Sequence, residues 1–311
     1  MLLYRWQGKA RNFGDELNLL IWPRLLPNLF DADPAEMFLG IGSILDARHA
    51  AATVKLVAGA GYGGYERLPS LDASWVIHWV RGPLTCRLLG LSESLGLGDP
   101  AMLLPNVGFA CSRRGNTVAA NAIRRTVGFM PHFESLGRGA WHAAAVAAGV
   151  RLIDPSGDPA AIIAAIAGCG VLLSEALHGA IVSDALRVPW IALRPLVPVH
   201  RAKWHDWAAS LELRIAFHCL TASSLAERLH ASPIAACRTG RTLLDRSAGS
   251  LCRVARGRFV DRAARALPGR GWQRHNCRMR RISTAVSRGC WIGSTRCGAI
   301  RSASHEDAPR G

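Results

Sequence analysis

Short apolar runs alternate with segments of helical periodicity from the start of the chain to about residue 235. Residues 2–6, 54–58 and 75–80 are typical of buried strands, and residues 95–97 of a short one. Residues 14–26 place apolar side chains on one face of a helix. Strands that alternate with helices form parallel sheets covered by helices. The sequence therefore predicts an α/β protein.

A polar stretch without periodicity, residues 111–121, interrupts this pattern, which restarts with a strand-like run at residues 126–130. We interpret the stretch as a linker between two Rossmann-like domains, residues 1–115 and 122–236, that face a cleft. In such sheets ligands bind outside the carboxyl ends of the strands. Polar residues at strand ends are therefore the candidates for function.

The segment 237–311 differs from the rest of the chain. It contains 17 arginines, no lysine, four acidic residues and five of the nine cysteines, so it carries +13 of the net charge of +16. A helix is predicted only around residues 254–267. Two interpretations of this atypical Arg/Cys-rich tail stay open: a natural basic tail for anionic lipid or nucleic acid, or a disordered, frame-shifted reading of a GC-rich gene.

Composition excludes several classes of protein. With 50% hydrophobic and 19% charged residues, the chain is neither mostly disordered nor fibrous. No apolar run approaches the ~20 residues of a membrane-spanning helix, and the first residues lack the pattern of a secretory signal. We expect a cytoplasmic protein. The cysteines form no CxxC pair, and His200 and His205 share no helix face, so no metal site is predicted.

The first candidate site follows the first predicted strand. Asn12 precedes Gly14, which permits a tight turn, and the adjacent carboxylates Asp15 and Glu16 then open a helix. The carboxylates are candidates for an acid or base at the cleft. The alternative is structural, because acidic residues in a first helical turn are favoured by the helix dipole.

Arg81 stands between a strand end and a helix start, where backbone N–H groups also point outward, so it is a candidate anion site. The alternative is an exposed arginine. Residues 59–64 match GxGxxG, but no clear helix follows and no acidic residue ends the next strand. A nicotinamide cofactor is therefore not expected.

Ser174, Glu175 and His178 follow a short apolar strand and enter a helix. This position at a strand's carboxyl end favours function, although a lone histidine is more often structural. Arg194 and Lys203 follow the next strand and could hold an anion, or could belong to a solvated charged face.

Asp99 precedes Pro100 and is interpreted as a helix N-cap. Asp158-Pro159 repeats the same arrangement later in the chain.

Taken in order, these motifs resemble the polysaccharide pyruvyltransferase family over residues 3–213, and the opening segment is similar to its succinoglycan-type branch. The most specific stretches are residues 12–17, 80–85, 98–105 and 174–189, followed by Lys203. Ala176 departs from the pattern, because many relatives have an arginine there. A second departure is Gly40-Ile41-Gly42-Ser43 in place of a glycine triplet.

The resemblance implies a GT-B-like pair of domains. It also implies transfer of a pyruvyl group from phosphoenolpyruvate, the donor substrate, to two hydroxyls of one sugar, which gives a cyclic ketal without a cofactor. His178 would handle one proton, and Asp15 or Glu16 would act at the opposite wall of the cleft. Arg81 and Lys203 would bind the donor. From their positions, Arg194, Asn12, Ser174 and Glu175 are further substrate-binding candidates.

Two other functions remain open. The same architecture fits a GT-B glycosyltransferase that uses a nucleotide sugar, and the tail fits a binder of anionic polymers or membrane surfaces. If the chain is a pyruvyltransferase, the expected partners are phosphoenolpyruvate and a lipid-linked oligosaccharide acceptor. This acceptor is compatible with a peripheral contact with the inner face of the cytoplasmic membrane, and no nucleic acid is expected.

Overall fold

A computed structural model of the chain describes residues 1–8, 10–51, 53–109, 126–232 and 256–267. The predicted linker at residues 111–121 and most of the Arg/Cys-rich tail lie outside the described residues.

The first half of the chain contains a four-stranded parallel sheet. Its strands pair in chain order and are β1 (Leu2–Tyr4), β2 (Glu36–Leu39), β3 (Val54–Ala58) and β4 (Trp75–Trp79). Helix α1 (Phe13–Leu25) connects β1 to β2, and α2 (Pro83–Leu89) follows β4. Two 3₁₀ helices, Glu93–Leu95 and Pro100–Val107, complete this half.

The second half contains another four-stranded parallel sheet, in the order β6-β5-β7-β8. Its strands are β5 (Val127–Met130), β6 (Arg151–Leu152), β7 (Val171–Ser174) and β8 (Trp190–Ala192). The chain adds β6 on one side of β5 and β7 on the other. The carboxyl ends of β5 and β7 therefore border the topological switch point, where α/β sheets form ligand crevices.

Seven helices accompany this sheet in the described part of the chain, besides a 3₁₀ helix at Pro198–Arg201. They are α3 (Phe133–Arg138), α4 (Trp141–Ala148), α5 (Pro159–Ala167), α6 (Leu177–Ala185), α7 (Ala202–Ser210), α8 (Leu225–His230) and α9 (Arg256–Ala266).

The α/β prediction is confirmed, and β3 has the predicted bounds. One element differs: residues 95–97, predicted as a strand, make a single bridge in which Gly96 pairs with Val80. The preceding residues Glu93–Leu95 form a 3₁₀ turn that ends at Gly96, so no length remains for a strand. Gly98, at φ +124°, then turns the chain towards the next helix.

Helix α3 was not predicted, because only Ser135 of its six residues is buried and the segment shows no apolar periodicity.

The largest apolar cluster joins the two halves. Its buried members include Phe13, Leu17 and Ile21 of α1, together with Trp204 and Trp207 of α7. Side chains of α5 and α6 complete it: Ile162, Ile163, Ile166, Leu177, Ala180 and Ile181. A backbone hydrogen bond of 2.9 Å from Phe13 to Pro155 adds to this contact. The start of α1 is thus fixed against the second half.

The helix predicted around residues 254–267 is confirmed as α9, which packs against α4. Ala263 and Leu267 are buried in the same cluster as Trp141, and Val260 is partly buried beside them. This part of the basic segment therefore contributes to the core of the second half.

Among the described residues, no helix combines the length and the apolar character needed to cross a membrane.

Candidate functional site

Loops from the carboxyl ends of both sheets meet between the two halves. From the first half come the carboxylates of Asp15, at the start of α1, and Asp99, at the start of a 3₁₀ helix. From the second half come His132 after β5, His178 in α6 and Lys203 in α7. Acidic side chains of one half therefore face basic side chains of the other.

His178 lies between the two carboxylates. Its Nε2 is 3.3 Å from Oδ2 of Asp99, and its side chain is only 12% exposed. The ring packs against the first turn of α1, because a Cβ placed on Gly14 would lie 1.9 Å from Nδ1 of His178. Gly14 is thus required for this close approach, which sequence analysis attributed only to a tight turn.

Asp15 is a buried carboxyl with an unusual proton affinity. Burial raises its pKa to about 6, against the opposing effects of His178, of Lys203 and of the Asn12 side chain. Asn12 donates a hydrogen bond of 2.6 Å from Nδ2 to Oδ2 of Asp15. A carboxyl that titrates near pH 6 can both give and accept a proton near neutrality.

The neighbouring carboxylate points elsewhere. Glu16 forms an ion pair with Arg5, which lies just after β1. Sequence analysis left Asp15 and Glu16 as equal candidates. Their contacts separate them. Glu16 pairs with Arg5, whereas Asp15 lies close enough to His178 and Lys203 for their charges to act on its pKa.

Lys203 and His132 lie side by side, with Nζ of Lys203 3.5 Å from Nε2 of His132. Burial, with the nearby charges of His200 and Lys203, lowers the pKa of His132 well below its usual value. Sequence analysis missed His132, although it stands just after a strand in the same way as the residues that follow β7. If polar residues at the end of every predicted strand had been taken as candidates, His132 would have been among them.

His132 stacks on His200, with ring centroids 3.9 Å apart and an interplanar angle of 23°. His200 lies 2.9 Å from the hydroxyl of Tyr65 through Nδ1 and 3.2 Å from Glu134 through Nε2. Arg138 donates a second hydrogen bond to Glu134. Tyr65 directly follows the glycine-rich loop, residues 59–64, so these contacts link the end of that loop to the buried histidines.

The side chains of His132, Glu134 and His200 could supply three ligands, since their candidate ligand atoms lie within 4.8 Å of one another. Two observations disfavour a divalent cation in this arrangement. The lone pairs of two nearly parallel rings do not converge on one point, and the cations Lys203 and Arg138 adjoin the group. A metal would require at least one imidazole to turn. The expectation that the site holds no metal stays a prediction.

Glu175 and Ser174 make contacts within the second half. The fully buried carboxylate of Glu175 accepts hydrogen bonds from the backbone of His132 and Leu196 and from the Ser135 hydroxyl, at 2.9–3.0 Å. Burial raises its pKa, although these donors oppose the rise. Ser174 donates to the carbonyl of Ala176 at 2.6 Å. Glu175 thereby fixes the loops that follow β5 and β8.

Arg81 is fully buried rather than exposed. Its guanidinium donates to Asp206 at 3.1 Å, to the Ser43 hydroxyl at 2.8 Å and to the carbonyl of Tyr62 at 2.9 Å. Thr85 donates twice more to the same aspartate, through its backbone N–H and its hydroxyl. Arg81 therefore ties α2 and the glycine-rich loop to α7.

Arg194 follows β8 and is exposed, with its backbone N–H bonded to the carbonyl of His218. Asp99 caps its helix as predicted, because Oδ1 accepts a hydrogen bond of 3.0 Å from the N–H of Ala101. Its second oxygen is the one that faces His178.

Part of the chain matches a known protein family. Residues 60–195 match the family model for polysaccharide pyruvyl transferase. This part of the chain belongs to that family. The matched segment includes Arg81, Asp99, His132, Glu175 and His178. The resemblance stated from the sequence is thus confirmed.

A curated relative supports the succinoglycan-type branch. The chain is 37% identical over 211 residues to the succinoglycan biosynthesis protein ExoV of Rhizobium meliloti (strain 1021). The aligned region covers 67% of this chain and 64% of ExoV, so the chain spans less than two thirds of the length of this relative. No solved structure matches the chain significantly.

Proposed function

We propose that this protein transfers a pyruvyl group from phosphoenolpyruvate to two hydroxyls of one sugar in an exopolysaccharide repeat unit. One observation carries the proposal: the buried carboxyl of Asp15 lies close enough to His178 and Lys203 for their charges to act on its pKa, which burial raises to about 6. The family match over residues 60–195 supports the class of reaction.

The reaction needs one proton delivered and two removed. A proton added to the methylene carbon of phosphoenolpyruvate creates an oxocarbenium-like centre at the neighbouring carbon, which the first hydroxyl attacks. The carbon–oxygen bond to phosphate then breaks, and the second hydroxyl closes the ketal. One hydroxyl proton balances the new methyl group and the other leaves with phosphate. We assign these transfers to Asp15 and His178, which come from different halves of the chain and lie close enough for the charge of His178 to act on Asp15.

The donor carries a carboxylate and a phosphate, so its site needs fixed cations and hydrogen-bond donors. Lys203 supplies an ammonium group at the start of α7, beside His132. Arg194 follows β8 but is exposed, so its guanidinium is solvated in the free protein. We propose Lys203 as the principal contact with the donor.

We further propose that the two sheets are the cores of two Rossmann-like domains in a GT-B-like arrangement. The acceptor would be a lipid-linked oligosaccharide, met at the inner face of the cytoplasmic membrane by a cytoplasmic enzyme. Phosphoenolpyruvate would be the only small-molecule partner, with no cofactor, metal or nucleic acid in the reaction.

The test begins with thermal unfolding of the full chain in the presence of phosphoenolpyruvate or nucleotide diphosphate sugars. A ligand that binds the native state raises the melting temperature with its concentration. We expect stabilisation by phosphoenolpyruvate and a reduced effect in Lys203→Ala, because a lost charge-assisted hydrogen bond weakens binding by roughly 10-fold to 100-fold. His205→Ala is the matched control, since His205 is exposed on the same helix.

Turnover is then measured as phosphate release from phosphoenolpyruvate with oligosaccharide acceptors. Release that depends on the acceptor and is lost in His178→Gln supports pyruvyl transfer. Stabilisation only by a nucleotide sugar would contradict it and favour glycosyl transfer. Equal phosphoenolpyruvate binding by Lys203→Ala and His205→Ala would remove Lys203 from the donor site.

A further inference from the structure

Asp99 has two carboxylate oxygens with separate surroundings. Oδ1 accepts the hydrogen bond from the N–H of Ala101 that caps the 3₁₀ helix. Oδ2 is buried and has no hydrogen-bond partner of normal geometry among the described residues, yet it lies 3.3 Å from Nε2 of His178. A helix cap uses only one oxygen, so capping alone does not explain the second.

The environment of Asp99 keeps it charged. Burial raises the pKa of this carboxyl, but the interactions with His178, the N–H of Ala101 and the charge of Arg81 outweigh burial, so its pKa falls below the usual value. A buried carboxylate with one unsatisfied oxygen is costly unless a donor meets it. The N–H of an imidazole at 3.3 Å is the available donor.

We propose that Asp99 is a positioning residue that holds His178 with the proton on Nε2, so that Nδ1 is the proton-accepting atom of the site. The proposal rests on the function proposed above and names the ring atom that it uses. Nδ1 lies on the side of the ring that contacts Gly14, at the first turn of α1 beside Asp15. The tautomer of a histidine is set by the hydrogen bond that its other nitrogen makes.

Asp158 offers a matched control within the same chain. It also precedes a proline and caps a helix, since its Oδ2 accepts a hydrogen bond of 2.8 Å from the N–H of Ala161. Asp158 caps α5 as Asp99 caps its 3₁₀ helix, so its replacement reproduces the loss of a cap carboxylate at a different helix. Replacing either aspartate by asparagine keeps an oxygen for the cap.

The decisive measurement is nitrogen-15 NMR of the histidine rings in the full chain, with the His178 signals identified by their loss in His178→Gln. We expect Nε2 to be protonated and Nδ1 unprotonated in the neutral wild-type ring. In Asp99→Asn the amide can turn its NH₂ group towards the ring, and the proton moves to Nδ1. Asp158→Asn leaves the His178 signals unchanged.

Kinetics supply the second measurement. In Asp99→Asn we expect kcat to fall by roughly 10²-fold or more, the contribution of a positioned acid–base group. Phosphoenolpyruvate affinity, measured by thermal shift, should change less than twofold. Asp99→Ser, which retains a cap but cannot reach His178, should lose kcat similarly.

An unchanged His178 tautomer in Asp99→Asn, or a kcat within twofold of wild type, would overturn the proposal. Because the NMR experiment needs no substrate, it tests the Asp99–His178 contact even if phosphoenolpyruvate proves not to be the donor. The two proposals can therefore fail separately.

Discussion

Nε of Arg81 lies 3.1 Å from Oδ2 of Asp206, and both side chains are buried although 125 residues separate them in the chain. A buried charge that loses its partner is strongly destabilising, by about 3–5 kcal/mol. We therefore expect Asp206→Ala to lower the free energy of unfolding by this amount, measured by urea denaturation.

The pair formed by Arg87 and Glu93 is the control, because both side chains are more than half exposed at a separation of 2.7 Å. Arg87→Ala should change stability by less than about 1 kcal/mol. If Asp206→Ala lost as little stability as Arg87→Ala, the buried pair would not hold the two halves together.

Asp15 should make stability depend on pH. Burial raises its pKa from 3.8 to about 6, so the folded state binds this proton more tightly than the unfolded state. Its contribution to stability is full below about pH 4 and is lost as the pH rises through about 6, at roughly 1.4 kcal/mol for each tenfold difference in proton affinity between the folded and unfolded states. Asp15→Asn should thus be more stable than wild type at pH 8, and thermal unfolding across pH 4–8 checks this.

The same variant should lose activity, by roughly 10²-fold to 10⁴-fold in kcat if Asp15 transfers a proton. Glu16→Gln is the neighbouring comparison, because Glu16 pairs with Arg5 instead. If Asp15→Asn were active and showed the pH dependence of wild type, both the buried charge and its role would be contradicted.

Gly14 should not tolerate a side chain. Because a Cβ there would lie 1.9 Å from Nδ1 of His178, Gly14→Ala must displace the imidazole. We expect kcat to fall at least tenfold while the chain remains folded by circular dichroism. Gly137→Ala is the control, since a Cβ on this helical glycine meets nothing within 4 Å. Full activity of Gly14→Ala would show that the ring does not need its observed position.

The basic segment should contain one stabilising element. Truncation after residue 236 removes α9 and uncovers the face of α4 that contacts Ala263 and Leu267. Truncation after residue 267 retains both contacts. We expect the shorter chain to melt at a lower temperature and to bind a hydrophobic dye, and the longer one to do neither. Equal losses would place the stabilising contacts beyond residue 267.

Local signals predicted the fold well. Apolar runs located the strands of both sheets, and the cap residues Asp99 and Asp158 located helix starts, because these features act over a few residues. Residues 95–97 were predicted as a strand, but only Gly96 pairs with Val80, because the sequence does not show that the preceding residues Glu93–Leu95 form a 3₁₀ turn.

The site was only half predictable. Position at strand ends identified Asp15, His178 and Lys203 as candidates, but pattern alone cannot pair residues that are far apart in sequence. The second contact of Asp99 and the partner of Arg81 both depend on how the two halves pack. The roles assigned to these residues stay predictions until the variants are measured.

The Arg81–Asp206 pair also has a consequence for synthesis on the ribosome. At about 5–20 residues per second, translation needs roughly 6–25 s to extend the chain from Arg81 to Asp206. During that interval the emerging first half has an arginine whose final carboxylate does not yet exist. Ser43 and Tyr62 are already present, but the Nε–H of Arg81 has no carboxylate partner until α7 is made, so the first half cannot reach its final packing as an independent nascent domain.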